Sequence, residues 1–208
     1  IRDRGKTVAV SSGTSSEIIL EQALARAGMT MDDINTVEMT VDGMTTAMIS
    51  GQIDAAASWS PNTVTLQNAL GDNYVDLGTN ADFLDSAIFP SSYICTPEYA
   101  EANHDILVRF AQALDKAHDW RAAHPEEMAK LLAKELDAPE DTMLAAVGEA
   151  DWQTITEVCG DMDAIKTVYE TQQGIFLDNG TITENVPVED YVLFDVMQEA
   201  YDAYSAAK

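Results

Sequence analysis

The chain has 208 residues, and its composition limits the classes of protein to which it can belong. Hydrophobic residues make up 46% of the chain and charged residues 23%, a balance that is typical of a folded globular protein rather than a disordered one. With 11 basic and 36 acidic residues, the formal net charge is −25. A charge of this sign and size excludes nucleic acid and anionic membrane surfaces as partners.

The first elements in chain order are a short strand and a helix. Residues 7–10 form a β-branched apolar run that ends at the polar turn Ser11-Ser12-Gly13, which is typical of a buried strand. Apolar residues then recur at helical spacing over residues 15–27, and Gly28 stands where a C-terminal cap is expected. The pattern predicts a strand, turn and helix unit.

Strands and helices continue to alternate up to about residue 77. The pattern predicts strands at residues 36–41, 54–59 and 75–77, a helix at residues 44–50 that stops at Gly51, and another helix after Pro61. Parallel neighbouring strands need a crossover connection, which a helix of this length supplies. We therefore expect an α/β sheet with largely parallel strands.

The pattern changes after Ile88. One apolar stretch, residues 88–96, is followed by helical patterns at residues 106–123, 164–176 and 191–204, with further helices opening at Pro97, Pro125 and Pro139 and a turn at Asn179-Gly180. The apolar stretch is the expected boundary between two lobes. Because few strands follow it, the helices of the second half need a partner for their apolar faces.

The turn between the first strand and helix carries most of the hydroxyl groups that could bind a ligand. Backbone and hydroxyl donors from Ser11, Ser12, Gly13, Thr14 and Ser15 precede a helix, whose first N–H groups lack intrahelical acceptors and attract anions. The alternative is structural, because Thr14 or a neighbouring serine is also a common helix cap. We predict a site for an anionic group here.

A second candidate follows the predicted strand at residues 54–59. The segment Trp59-Ser60-Pro61-Asn62 lies at a carboxyl-terminal strand end, where open α/β sheets usually bind their ligands. The indole of Trp59 offers a flat apolar wall for a small organic molecule, although a tryptophan at a strand end is as often part of the core. Trp59, Ser60 and Asn62 are therefore candidate binding residues.

We predict no metal site, no cofactor and no catalytic centre. Cys95 and Cys159 lack CxxC spacing and a nearby histidine, which argues against zinc and redox motifs. Free thiols are slightly favoured over a disulfide between them. The histidines fall in the helical half, and no Gly-x-Ser-x-Gly elbow occurs. No apolar run approaches the roughly 20 residues of a membrane span, so we predict no direct membrane insertion of this segment.

The ordered landmarks resemble the nitrate/sulfonate/taurine type of ABC-transporter substrate-binding protein. The matching stretches are Gly5-Lys6-Thr7-Val8-Ala9-Val10 with its serine-rich turn, Ser50-Gly51-Gln52-Ile53-Asp54-Ala55-Ala56, Trp59-Ser60-Pro61, His124-Pro125-Glu126-Glu127 and Gln173-Gly174-Ile175-Phe176. The resemblance implies a type II periplasmic-binding-protein fold. It further implies that residues 5–87 form one complete α/β lobe, and that residues 88–208 are the hinge crossing and the mostly helical C-terminal part of the other lobe.

The resemblance also implies a function. Such a protein captures a small anion-bearing solute, of the sulfonate, taurine-like or nitrate class, in the cleft between its lobes and delivers it to the membrane permease of an ABC importer without catalysis. Ser92, near the hinge crossing, becomes a further candidate binding residue. The implied location is periplasmic or extracellular. Because the chain begins at Ile1 rather than Met, we expect any targeting segment or lipid anchor to precede it.

Two other classes of function stay open at this stage. Relatives of the fold include a thiamin-pyrimidine synthase, which would make the protein an enzyme, and the ligand-sensing effector domains of some bacterial regulators share the two-lobed architecture. A DNA-binding motif encoded upstream would indicate the regulator, whereas a signal peptide or lipobox there would indicate transport.

Overall fold

A computed structural model describes residues 5–84, 86, 88–178 and 180–208. The chain divides into two compact units. The first contains the residues up to Ile88 together with Lys130–Glu149, and the second contains Phe89–Ala129 and Ala150–Lys208. The assignment of these units to the two lobes expected from the sequence stays a prediction.

The first unit is built on a three-stranded parallel sheet. Its strands are β1 (Thr7–Val10), β2 (Asn35–Glu38) and β3 (Ala55–Ala56), in the order β2-β1-β3. The register pairs Val10 with Glu38 across one side of β1 and Ala9 with Ala56 across the other. Helices α1 (Ser15–Arg26) and α2 (Val41–Ile49) follow β1 and β2 and supply the crossovers that parallel strands require.

Alternation along β1 gives the sheet two buried faces. Val8 and Val10 face one side, where they pack with Leu20 and Leu24 of α1. Ala9 faces the other side and packs with Met44 of α2 in a second cluster. Since successive strand residues point to opposite faces, this short β-branched run holds one helix on each side of the sheet.

Gly28 ends α1 as the sequence predicts. The amide of Gly28 donates to the Ala25 carbonyl and the amide of Met29 to the Leu24 carbonyl, so the last carbonyls of the helix are satisfied. Gly28 has φ +71°, in the left-handed region that favours glycine. The chain therefore leaves α1 in the direction of β2 without backbone strain.

Two further helices complete the first unit, and one crosses its boundary. Helix α3 (Asn62–Leu70) follows β3, and α7 (Glu140–Ala146) packs against it. Helix α6 (Pro125–Glu135) begins in the second unit and ends in the first.

All the regular secondary structure among the described residues of the second unit is helical. Its remaining helices are α4 (Pro97–Ala102), α5 (His104–Ala123), α8 (Ile155–Cys159), α9 (Met162–Asp178) and α10 (Phe194–Ala206). Helices α5 and α10 form its principal contact, and Val108 of α5 is buried there with Val196 and Ala200 of α10. Both cysteines, Cys95 and Cys159, are free thiols.

Most predicted helices and strands occur within a few residues of their expected bounds, but two strand predictions need correction. Residues 75–77 form no strand, because Val75 and Leu77 are 70% and 50% exposed and the Asp76 carboxylate accepts a bond from the Gly78 amide. The strand expected at 54–59 is only two residues long: Ala55 and Ala56 pair with Val8 and Ala9, and in this register residues 58 and 59 lie beyond the end of β1. Of the expected turn at Asn179-Gly180, Asn179 lies outside the described residues.

Candidate functional site

The carboxyl ends of the three strands lie at one edge of the sheet. Because β1, β2 and β3 are all parallel, the segments that follow them leave the sheet on the same side. The Met39 amide donates to the Val10 carbonyl and the Ala57 amide to the Ala9 carbonyl, which keeps the three chain segments together at their ends. Helices α1, α2 and α3 begin there. We call this region the carboxyl edge; in open α/β sheets it is the usual place for a ligand.

The serine-rich turn, Ser11–Ser16, lies at this edge after β1, but two of its amides already have anionic partners. The Ser12 amide donates to both carboxylate oxygens of Glu38, at 3.1 and 3.2 Å, and the Ser12 hydroxyl donates to Oε2 at 2.8 Å. The Gly13 amide donates to Oε2 of Glu17 at 2.7 Å. The turn therefore binds carboxylate groups, and in this structure they belong to the chain itself.

Other donors of the turn are differently placed. Thr14 occupies the cap position of α1, yet its hydroxyl donates to the Ser11 carbonyl at 2.7 Å and makes no side-chain cap bond. The alternative, that Thr14 or a neighbouring serine caps the helix, is thus confirmed for the position of Thr14, although the Thr14 side chain makes no cap bond. The amides of Ser15 and Ser16 lie in the first turn of α1, where the helix offers them no acceptor. Ser15 is exposed, whereas Ser16 is buried.

The carboxylates of Glu17 and Glu38 make the edge more acidic than the turn alone would be. Burial, and then the neighbouring Glu17 carboxylate, raise the pKa of Glu21 one turn further along α1. An incoming anion would meet the donors of the turn and the repulsion of these carboxylates together. Its binding must therefore displace Glu17 or Glu38 from the amides or use the first amides of α1.

The segment after β3 supplies an apolar surface beside polar groups that bond within the unit. Trp59 is 40% exposed, so it is not plain core. The Ser60 and Thr63 hydroxyls lie 3.0 Å apart, and Thr63 donates to the Glu149 carboxylate. Oδ1 of Asn62 accepts a bond from the Thr45 hydroxyl at 3.2 Å. Trp59 thus offers an exposed apolar surface to a ligand, whereas the side chains of Ser60 and Asn62 already have polar partners.

Sequence reasoning missed two residues at the carboxyl edge. Ser58 directly precedes Trp59, and its hydroxyl oxygen is buried without a hydrogen-bond partner among the described residues. Glu38 occupies the last position of β2, and only the pairing of β2 with β1 brings it to Ser12. A carboxylate at the last position of a strand carries no local signal of such a partner.

Ser92 lies apart from the other candidates, in the second unit. It is exposed, and its hydroxyl lies 2.6 Å from the Tyr169 hydroxyl of α9. The structure thus brings the candidates from Ser11 to Asn62 to one sheet edge of the first unit and places Ser92 in a separate compact unit.

The described residues provide no cluster of three or more histidine, cysteine or acidic side chains arranged to hold a metal ion. None of the helices within the described ranges has both the length and the apolar character of a membrane span.

Solved structures identify the fold. The chain matches the crystal structure of the periplasmic aliphatic sulphonate binding protein SsuA from Escherichia coli with a TM-score of 0.67 and 22% sequence identity, over 91% of this chain and 59% of that one. It also matches the alkanesulfonate-binding protein SsuA from Xanthomonas axonopodis pv. citri bound to MOPS, with a TM-score of 0.51 and 18% identity, over 82% and 59% of the two chains. The fold is that of the periplasmic binding proteins, here in part.

Sequence comparison identifies the family. Residues 3–128 match the profile described as NMT1/THI5 like, so the chain belongs to the NMT1/THI5-like family. A protein of Brucella abortus (strain 2308) described as a binding protein is 35% identical over 131 residues, which are 63% of this chain and 41% of that protein. The chain therefore spans about half the length of the relatives it matches.

Proposed function

We propose that this chain is the solute-capturing part of an ABC-importer substrate-binding protein, and that its solute carries a small anionic group of the sulfonate, taurine-like or nitrate class. The observation that carries the proposal is the serine-rich turn at the carboxyl edge, whose amides hold carboxylate groups at hydrogen-bond distance. Donors that hold the carboxylates of Glu38 and Glu17 have the geometry and polarity to hold a sulfonate instead.

The apolar neighbour of the turn agrees with an organic anion. Trp59 follows β3, the strand next to β1, and two fifths of its surface is open to a ligand. An indole face can pack against an alkyl chain while the anionic head binds at the turn. The unpartnered hydroxyl of Ser58 beside it could donate to a polar atom of the same solute.

Similarity to known proteins supports capture and delivery rather than catalysis. The matched proteins are described as binding proteins, and two of them by name bind sulphonates. Under this proposal the partner of the whole protein is an ABC permease, and its location is the periplasm or the outer face of the cell membrane. The negative surface charge would confer solubility there.

The domain arrangement that goes with this function is also a proposal. The unit with β1, β2 and β3 would be one complete lobe, and the helical unit would be part of the other. Tyr93 and Ile94 of the helical unit are 75% and 93% exposed, and residues 89–95 make no hydrogen bond between backbone groups of the described residues. Such exposed apolar chain is what we expect where a lobe's own strands should pack.

The proposed function is tested by titrating the protein, in the full form that its gene encodes, with ethanesulfonate, taurine and nitrate in a calorimeter. We expect at least one to bind. Ser15→Ala, which removes a hydroxyl beside the first amides of α1, should weaken that binding about threefold to tenfold, and Trp59→Ala about tenfold.

Two matched variants control for the general effects of these substitutions. Ser205→Ala removes an exposed hydroxyl on α10, and Trp120→Ala removes an indole of nearly the same exposure, 41% against 40%. Neither residue lies at the carboxyl edge, so neither variant should change the affinity. Binding that survives Ser15→Ala and Trp59→Ala unchanged would place the solute elsewhere.

A further inference from the structure

A buried carboxylate in the helical unit lacks the hydrogen bonds that such a group needs. Asp115 of α5 is only 6% exposed, and its Oδ2 atom is fully buried without a hydrogen-bond partner among the described residues. Ionised carboxylates are rarely buried unless they are paired, because removing the charge from water is costly. This residue plays no part in the proposed solute site.

The donors in this region go to another carboxylate, one helical turn along. Asp119 accepts bonds from the Ile155 amide at 2.8 Å, the Tyr204 hydroxyl at 2.8 Å and the Lys208 ammonium group. Burial alone raises the pKa of Asp119, but the bonds from Lys208, Ile155 and Tyr204 outweigh it and hold the pKa below its ordinary value. Asp119 is therefore the ionised member of the pair.

Asp115 has the opposite environment. Burial, and then the neighbouring Asp119 carboxylate, raise the pKa of Asp115 to about 6, although Lys208 acts in the other direction. On α8, burial and then the Asp115 charge raise the pKa of the Cys159 thiol to about 11. The thiol is therefore neutral near pH 7 and adds no negative charge beside Asp115.

We propose that protonation of Asp115 controls how firmly the end of α10 is attached to α5 and α8 in the helical unit. We call this arrangement the latch. Protonated and neutral, Asp115 can stay buried beside Asp119 while the end of α10 remains attached to α5 through Tyr204. Ionised, it must admit water or draw Lys208 away from Asp119, and either change loosens the attachment of the α10 end to α5 and α8. The latch does not depend on solute binding at the carboxyl edge.

The stability that Asp115 contributes should fall as pH rises, because the pKa of this residue is raised in the folded protein. The folded protein holds a proton on Asp115 more tightly than the unfolded chain does, so the stabilisation is complete below the ordinary aspartate pKa near 4. This stabilisation is lost as pH rises from about 4 through about 6, and at higher pH Asp115 causes no further loss of stability.

Two histidines of the same unit also make its stability depend on pH, and their effects must be separated from that of Asp115. Burial, and then Arg121, lower the pKa of His118, so its contribution to stability rises with pH. A hydrogen bond to Glu199 raises the pKa of His104, so the contribution of His104 falls as pH rises. Both histidines are present in wild type and in an Asp115 variant, so their contributions cancel in the difference between the unfolding midpoints of the two proteins.

The test compares wild type with Asp115→Asn, which keeps the shape of the side chain and removes its titration. At pH 8 the variant should unfold about 5 °C above wild type, and the difference should vanish near pH 4. Amide exchange at the end of α10 should be faster in wild type at pH 8 than at pH 5 and should lose this dependence in the variant. Asp119→Asn, which removes an ionised acceptor, should instead lower the midpoint at pH 8.

A measurement on the wild-type protein keeps the proposal testable even if the variant does not fold. The carboxyl carbon of Asp115 should titrate near pH 6 by NMR, well above the ordinary aspartate pKa near 4. Titration of that carbon near pH 4, or a difference between Asp115→Asn and wild type that is the same at every pH, would overturn the latch.

Discussion

Replacing Leu24 by Ala should lower the free energy of unfolding of the first unit by about 2–5 kcal/mol. Leu24 is 1% exposed and packs on α1 against Val8 and Val10 of β1. The substitution removes buried apolar surface and leaves a cavity that the surrounding side chains can fill only in part. Denaturant unfolding followed by amide exchange in β1 measures the loss within this unit.

A leucine of the same unit provides the control for this prediction. Leu77 is 50% exposed, and Leu77→Ala should change the free energy of unfolding by no more than about 0.5 kcal/mol. If the two variants proved equally stable, the packing of α1 on the sheet would be wrong, and with it the position of the serine-rich turn that α1 carries.

Glu38→Gln should strengthen the binding of the anionic solute about fivefold. In wild type the Glu38 carboxylate bonds the amide and hydroxyl of Ser12, donors that the solute would otherwise use. Glutamine can still accept one of these bonds, but the unit charge, worth about 1 kcal/mol on an anion 4 Å away even in water, is gone. Calorimetry at low and high salt measures the gain, which should shrink as salt screens the charge.

Asp72→Asn is the matched control, since it removes an equal charge from the chain just beyond α3, the end of that helix away from the carboxyl edge. It should leave the affinity nearly unchanged. Weaker binding in Glu38→Gln would show instead that the carboxylate supports the turn and does not compete with the solute.

Local signals account for the parts of the fold that the sequence predicts well. The apolar run of β1, the helical spacing of α1 and the glycine that ends α1 are each decided within a few residues, and each occurs where expected. Residues 75–77 show the limit of such signals. Val75 and Leu77 alternate with Asp76 as strand residues do, but strand formation needs a pairing partner that the tertiary structure does not supply.

The candidate site likewise has features that the sequence predicts and one residue that it does not. Its location after β1 and β3 follows from the order of elements, because parallel strands end at one edge. Thr14 and Glu17 also have the spacing of a capping box, which indicates that a glutamate reaches back to the turn, although the observed bond is to the Gly13 amide. Glu38 could not be found this way, since 26 residues separate it from Ser12 and only strand register joins them.

The central claim is that an anionic solute binds at the serine-rich turn, and backbone amide chemical shifts test it most directly. On addition of an alkanesulfonate to the isotope-labelled protein, the account predicts that the largest shifts occur at the amides of Ser12, Gly13, Ser15 and Ser16, with a further change at the Trp59 indole N–H. Saturable binding that leaves all of these signals in place and moves amides outside the carboxyl edge would contradict it.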